Sequence, residues 1–560
     1  MKNKYILICF LYLGIGFISS SYSQNWLWAK GVNSSGNTGA SSDGCNSICT
    51  DKKGNAIISG YFSSPHITFG STTFNINQNS PDLFIAKYDA NGNVLWAKNI
   101  GGAGNSENSV STDSSGNIFL IGTASHDSIT FGFTTLINSG MFIAKYDSNG
   151  NGIWAKAVGN SSLLQGGIVC TDKSGSVFAS GTFYGSTMTI GTIKVANPDT
   201  SISKNSWNLF IAKYDSDGNL LWAKCAGWMG NAGVPSMSTD LNGNVFISGF
   251  FDGTYLRFDS ITLTNLNPYF ADAFIAKYDA NGSVLWAKNA GGTGSFANSV
   301  SADAEGNVFV TGRFDNYYKG SSTIILDTIT LVQPGNDAVF IAKYDANGNV
   351  IWARSAGGSG ISIADEGWSI STNIDGSVFA TGTFDGPSIT FGSITLVRPP
   401  GSAGPLFLVK YDGSGNLLCA SALAGGGGSM VSTDLFGNAY LGGFYGENPF
   451  IVGKDTLQRS NIGNIFVAKY NCDNTLAVNE IREPLSVSVF PNPNNGTFTI
   501  KSTSEKEELL RVFDGGGRIV LSHQFIGNII VDAINLSNGI YNVCVSNNAG
   551  VENKRLVIVR

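Results

Sequence analysis

The stretch FIAKYDANGNVLWAK, Phe84 to Lys98, decides the fold of this 560-residue chain. Two short apolar strands flank Asp-Ala-Asn-Gly-Asn, whose aspartate can bond an amide two residues on and whose glycine can take the left-handed conformation of a tight hairpin. The same words recur from Phe142, Phe210, Phe274 and Phe340, and more loosely from Phe407 and Phe466. The last copy, FVAKYNCDN, stops before its second strand. The missing half stands near the other end of the chain, as Trp26-Leu27-Trp28-Ala29-Lys30. A period of roughly 60–70 residues built from short strands predicts a radial array of sheets. An N-terminal strand that completes a C-terminal unit predicts a closed ring.

Each unit reads as four strands. In the second they are a (Asn108 to Asp113), b (Asn117 to Gly122), c (Met141 to Asp147) and d (Gly152 to Lys156). Strand b is apolar on both faces, as expected of a sheet packed between two neighbours. The a–b and c–d turns share the grammar D-x-x-G-N. The chain is therefore expected to be all-β: a seven-bladed β-propeller over 24–476 closed by its N-terminal strand, a linker at 477–485, and a small immunoglobulin-like β-sandwich over 486–560. Residues 1–23 read as an export signal, with Lys2 and Lys4 ahead of an apolar run from Ile6 to Ile18 and small residues up to Ser23. No second apolar stretch is long enough to be a transmembrane segment.

Two resemblances sharpen this reading. The segment from Asp272 to Gly312, with its DAFIAKYDANGSVLW, GG and ADAEGNVFVTG words, resembles the bacterial β-propeller repeat family often abbreviated SBBP, and the likeness runs through nearly all of 25–471. It implies a fold, not an activity. The PNPNNGTF opening at Pro491, the LSNGIY centre at Leu536 and the basic-apolar tail Lys554 to Arg560 together resemble the type A sorting domain of the type IX secretion system. That resemblance implies the type IX machinery as a partner, passage across an outer membrane, and a secreted, extracellular or outer cell-surface location.

Composition limits the remaining partners. Once the two leader lysines are set aside, 32 basic residues face 40 acidic ones, a net charge of −8, which disfavours nucleic acid. Seven cysteines remain in irregular positions. Cys49 and Cys170 stand where other repeats have serine and Cys419 stands where a tryptophan is due, so they read as template substitutions and not as a disulfide framework. The three histidines lie far apart, and no metal-ligand spacing or nucleophile motif is evident, so no catalytic residue, metal or cofactor is assigned. Asp215-Ser216-Asp217-Gly218-Asn219 has calcium-loop spacing, but its twelfth position is Ala226 and not glutamate.

Recognition belongs on the face where the repeats differ, carrying the b–c and d–a loops. Aromatic residues outside the template gather there in sequence: Trp207, Trp228, Tyr269, Phe270, Tyr317, Tyr318 and Trp368. Exposed rings of this kind stack on sugars or anchor a protein partner. The expectation is thus a non-catalytic binding or adhesion module for glycan or protein. Two alternatives stand beside it. One is a polysaccharide-active enzyme, a glycosidase or lyase using non-template carboxylates such as Asp252, Asp315, Asp365, Glu366 and Asp385. The other is a structural surface-coat protein.

Overall fold

The computed structural model describes residues 26–35, 43–76, 81–102, 108–124, 128–137, 140–159, 164–197, 207–228, 236–265, 267, 269–315, 321–334, 337–358, 365–398, 402, 404–459, 464–472, 487–502, 507–515, 517–547 and 550–560. The leader at 1–23 and the linker at 477–485 lie outside the described residues.

In the second repeat, strands a (Asn108–Thr112), b (Ile118–Thr123), c (Met141–Tyr146) and d (Gly152–Ala157) pair antiparallel in the order a-b-c-d. The first repeat does the same with Gly44–Thr50, Ala56–Phe62, Asp82–Tyr88 and Val94–Gly102. The third to sixth repeats follow suit, and the fourth sheet is extended by a hairpin of the fifth repeat. In the seventh, Gly426–Thr433, Ala439–Tyr445 and Asn464–Tyr470 form a, b and c, and Trp26–Gly31 enters as d. Ala29 lies opposite Ala468 and Gly31 opposite Phe466. The borrowed strand is pinned further: the Asp455 carboxylate accepts the Ala29 N–H at 2.7 Å, and the Trp26 ring packs edge-on to Tyr470 at 4.8 Å.

Strand c is buried along its whole length in five repeats and beyond its first residue in the third and fifth, because both its faces meet apolar layers of adjoining sheets. One core joins Ile57, Leu83 and Ile85 of the first repeat to Leu120, Phe142 and Tyr146 of the second. Another joins Tyr440, Ile465 and Val467 of the seventh to Ile58, Phe62 and Phe84 of the first. The two ends of the repeat array therefore meet through an apolar core like those between consecutive repeats. The architecture is a β-propeller.

A repeated device locks neighbouring sheets. Every d strand bulges just before the tryptophan position: in the second repeat Tyr146 opposes Gly152 and Lys145 opposes Trp154, leaving Ile153 unmatched. A bulge re-aims the side chain that follows it. Here it sends the indole of Trp28, Trp96, Trp154, Trp222, Trp286 or Trp352 across to the next repeat, where Nε1 donates to a c–d turn carbonyl at 3.0–3.2 Å. The turn glycine is needed twice over. Gly150 has φ +82°, and an added Cβ would stand 3.0 Å from the Trp96 ring.

The sixth repeat departs from this device and corrects the cysteine reading. Cys419 holds the tryptophan position, and it forms a disulfide with Cys472 at the end of the seventh repeat's strand c, with the Cα atoms 6.2 Å apart. Template substitution and disulfide are here the same event. The covalent bond spans the junction that elsewhere an indole bridges.

The C-terminal module is made of two sheets around one core. Val487–Phe490, Thr497–Ser502 and Asn528–Asp532 form one; Ile519–Ile526, Glu507–Phe513, Gly539–Asn547 and Gly550–Ile558 form the other. Phe498, Ile500, Leu510, Val512, Val543 and Leu556 are buried between them. The asparagines of the PNPNN word clamp the basic-apolar tail: the Asn492 side chain accepts the Val557 N–H at 2.8 Å, and the Asn494 N–H donates to the Val557 carbonyl at 2.9 Å.

Candidate functional site

Strand a is the free edge of each sheet. These edges contact one another in succession round the ring, and the seventh returns to the first. A free edge leaves amides and carbonyls unpaired, and the sequence answers with hydroxyl groups. In one tier a serine of five repeats accepts an amide of the next, as Ser47 does from Val110 (3.1 Å), Ser299 from Ile370 (3.2 Å) and Ser369 from Val431 (3.1 Å), whereas Ile168 and Met430 hold the place in the third and seventh. In another, Thr50, Thr112, Thr171, Thr239, Thr372 and Thr433 each donate to a main-chain carbonyl of the preceding repeat at 2.6–2.9 Å. Ala302 occupies the seventh place and has no hydroxyl to give. The wall of the central channel is therefore consumed by its own construction. Cys49 and Cys170 sit in this wall, and burial pushes both thiols above their ordinary range, so the thiolate form is disfavoured there.

The turn face is equally occupied. Asp215 Oδ1 accepts the amides of Asp217 and Asn219, and Oδ2 accepts the Asn219 side chain at 2.8 Å, so the carboxylate is taken up by its own hairpin. The template lysines are buried against a–b aspartates: Lys87–Asp51 at 2.9 Å, Lys213–Asp172 at 3.5 Å and Lys469–Asp434 at 3.5 Å. In the sixth repeat Asn373 replaces the aspartate, and Lys410 Nζ lies 5.2 Å from the Phe379 ring centre.

The other mouth of the channel is different. It opens from a cavity of about 780 Å³, lined in three repeats by the residue that follows a strand-b glycine. That glycine is obligatory, since a Cβ on Gly60 would stand 2.0 Å from the Gly44 carbonyl oxygen and 2.7 Å from the Phe84 ring. The next residue varies from repeat to repeat: Tyr61, Thr123, Thr182, Phe250, Arg313, Thr383 and Phe444. Tyr61, Phe250 and Phe444 line the cavity together with Trp368 and Asn298. Phe250 packs on Phe296 at 4.7 Å, and the Arg313 guanidinium stacks over Phe296 at 4.4 Å. Asn298 donates to Glu366 Oε1 at 2.9 Å, and Arg313 Nε lies 3.6 Å from Glu366 and 3.9 Å from Asp315. Burial first, then the charge of Asp315, raises the Asp337 carboxyl to about 6; burial also raises Asp315 and Asp365.

Of the described aromatic residues singled out in the sequence, Trp368 lines this cavity, from strand a of the sixth repeat, where its Nε1 donates to Thr383 Oγ1 at 3.1 Å. Trp207 packs edge-on to Tyr184 at 5.5 Å. Tyr269 is 91% exposed, and Phe270 is half-buried in a loop knot closed by the Asn265 side chain. Tyr317, Tyr318 and the side chain of Trp228 lie outside the described residues. The four described members do not converge on one cavity. Tyr61, Phe250, Arg313 and Phe444 were missed because they stand at a template position; the signal was the variety of residue types after the strand-b glycine. Among the carboxylates, Asp365 accepts the amides of Gly358 and Asp385, as Asp43 accepts those of Ser63 and Ser64, and Asp385 pairs with Arg398 at 3.2 Å. Asp252 is half-buried.

Residues 488–559 match the family of secretion system C-terminal sorting domains, which implies the type IX secretion machinery and a secreted or cell-surface protein. The chain is also similar to an uncharacterized WD repeat-containing protein of Acanthamoeba polyphaga mimivirus, 23% identical over 457 residues, with 67% of this chain and 33% of that protein covered. It thus spans about a third of that relative's length. Among solved structures, a protein of unknown function from Dyadobacter fermentans aligns with 10% identity and a TM-score of 0.34, covering 79% of this chain and 99% of that one. The Pan2 WD40 domain of Neurospora crassa aligns with 9% identity and a TM-score of 0.32, covering 66% and 89%. At such scores they bear on neither ligand nor activity.

Proposed function

We propose that this chain is an exported seven-bladed β-propeller of SBBP-type repeats, closed by Trp26–Gly31, that binds a glycan or protein at the aromatic mouth of its channel. Its C-terminal module, a type A sorting domain of immunoglobulin-like build, delivers it to the outer surface or the medium. The observation that carries the binding reading is the differentiated position after the strand-b glycine: three aromatics, an arginine and three threonines on an otherwise uniform scaffold. Binding is favoured over catalysis because Asp365, Asp385 and Glu366 are committed to backbone amides, an arginine or an asparagine. The raised carboxyl of Asp337 favours the second reading, a polysaccharide-active enzyme.

The test is to apply the mature protein from culture medium to a panel of polysaccharides and extracellular proteins, recording retention and released oligosaccharides together. Retention without products, lost in Phe250→Ala and Phe444→Ala, supports the reading. Released products overturn it in favour of the enzyme, and no retention by any probe overturns it in favour of a structural coat.

A further inference from the structure

We infer that the mouth takes a neutral, polyhydroxylated ring, the terminal units of a non-acidic glycan, in preference to an acidic sugar or a peptide. The inference rests on the mouth reading above and narrows its ligand. A peptide commonly docks on a sheet by adding a strand to a free edge. At the channel the free edges are the a strands, and amides and carbonyls on them are already engaged by the serine and threonine tiers of neighbouring repeats. That leaves side chains as the recognition surface.

Those side chains offer flat apolar area and an excess of acceptors. Tyr61 is packed down on Gly44, where a Cβ would come within 2.6 Å of its ring, and Phe444 is packed down on Gly427, where the distance would be 2.4 Å. Phe444 nevertheless stays 40% exposed. Rings held against backbone in this way keep a fixed orientation toward the cavity, so stacking a sugar on them orders little that is not already ordered. Of the polar groups, Asn298 lines the cavity and donates to Glu366, and Arg313 lies between Glu366 and Asp315.

Charge decides between sugar classes. The Arg313 guanidinium is held between Asp315 and Glu366 with Asp337 near them, so the cluster beside the cavity is negative on balance and a uronate would meet repulsion. Arg313 Nε is buried and makes no hydrogen bond of its own, its two carboxylate neighbours standing beyond that range. A hydroxyl group suits such a cluster because it accepts from the guanidinium and donates to a carboxylate at once. The cavity of about 780 Å³ has room for more than one sugar unit.

The test is calorimetric titration of the full mature chain with neutral gluco-, manno- and xylo-hexasaccharides, with oligogalacturonate of the same length, and with an extended polar peptide. At least one neutral oligosaccharide is expected to bind, about tenfold more weakly in Phe250→Ala and in Phe444→Ala, with affinity retained in Phe444→Trp. Thermal melts of the variants separate lost stacking from lost folding, and Phe444→Trp keeps the test decisive if an alanine variant unfolds. Binding of oligogalacturonate or of the peptide in preference to neutral sugar, still sensitive to Phe444→Ala, overturns the ligand class and leaves the mouth as the binding site. Sugar binding indifferent to all three variants overturns the mouth itself, and no binding of any probe overturns the inference.

Discussion

Cys419 and Cys472 are joined at the one junction of the ring where the bridging tryptophan is missing. The six other junctions use an indole-to-carbonyl hydrogen bond, from Trp28 to Ala90 round to Trp352 and Gly413. The covalent bond therefore replaces a weak link at the place where the repeat array stops and the chain departs for its C-terminal module. Replacing both cysteines by serine should cost about 2–4 kcal/mol, the usual range for a disulfide closing a loop of this order. Denaturant melts with and without reductant check this. An equal midpoint for wild type in both conditions would mean that the bond does not form.

The strand Trp26–Gly31 should be indispensable to the ring. Deleting residues 24–30 exposes the edge of Asn464–Tyr470 and strips apolar cover from the core around Tyr470 and Phe450. A melting temperature lower by several degrees is expected, and Asp455→Ala should give a smaller drop through the lost bond to Ala29. A deletion that melts like the parent sinks the closure.

Ala302 interrupts the threonine tier, leaving the Thr239 carbonyl without the hydroxyl donor that its counterparts receive. Ala302→Thr should restore it and raise stability by about 0.5–1.5 kcal/mol, the net worth of one hydrogen bond. Urea unfolding measures the change. A neutral or destabilising result would mean that the tier does not contribute as a unit.

Asp272 and Asp337 bear on pH dependence. Burial, as the first cause, lifts both carboxyls to about 6, against an ordinary value near 4. Their contribution to stability is complete below about pH 4 and is lost as pH rises through 6. The exposed turn aspartates act in the opposite sense. For Asp89, Asp215 and Asp345, slight burial is outweighed by bonds from the asparagine four residues on and from turn amides, so the carboxyls are held low. Their stabilisation is complete above pH 4 and is lost as pH falls through the lowered value. The double variant Asp272→Asn, Asp337→Asn should flatten the rise in melting temperature between pH 7 and pH 5. An unchanged slope would assign that rise to other groups.

Export is expected to depend on the C-terminal module, which matches the sorting-domain family. A chain ending before residue 486 should accumulate in the periplasm, whereas the full chain reaches the surface or medium; fractionation and immunoblotting distinguish the two. Normal export of the shortened chain would remove the sorting role.

The repeat architecture was legible in the sequence because each strand and turn is written in nearly the same words, and D-x-x-G-N carries its own hairpin chemistry. Even the borrowed strand could be found, as half a sentence out of place. The mouth could not be read in the same way. Trp207 and Tyr269 drew attention by standing outside the template, yet one packs in a strand-end pair and the other projects into solvent. Tyr61, Phe250 and Phe444 hide inside the template, one per repeat, and become neighbours only when the ring brings seven distant segments to one axis. The disulfide escaped for a related reason: Cys419 and Cys472 occupy different slots of different repeats, and their separation of 53 residues has no meaning until the sheets are stacked.

The position of Cys472 also sets a load path. The chain leaves the ring just after Tyr470, so traction applied to the C-terminal module arrives first at this residue. Without a cross-link, that tension would fall on strand c of the seventh repeat and peel it from Trp26–Gly31, its hydrogen-bonded neighbour. The sulfur bridge diverts the pull into Cys419 and hence into the sixth sheet, which is continuous in the chain and has no borrowed strand to lose. A ring closed by a non-covalent strand can in this way be hauled by its tail without opening at its seam.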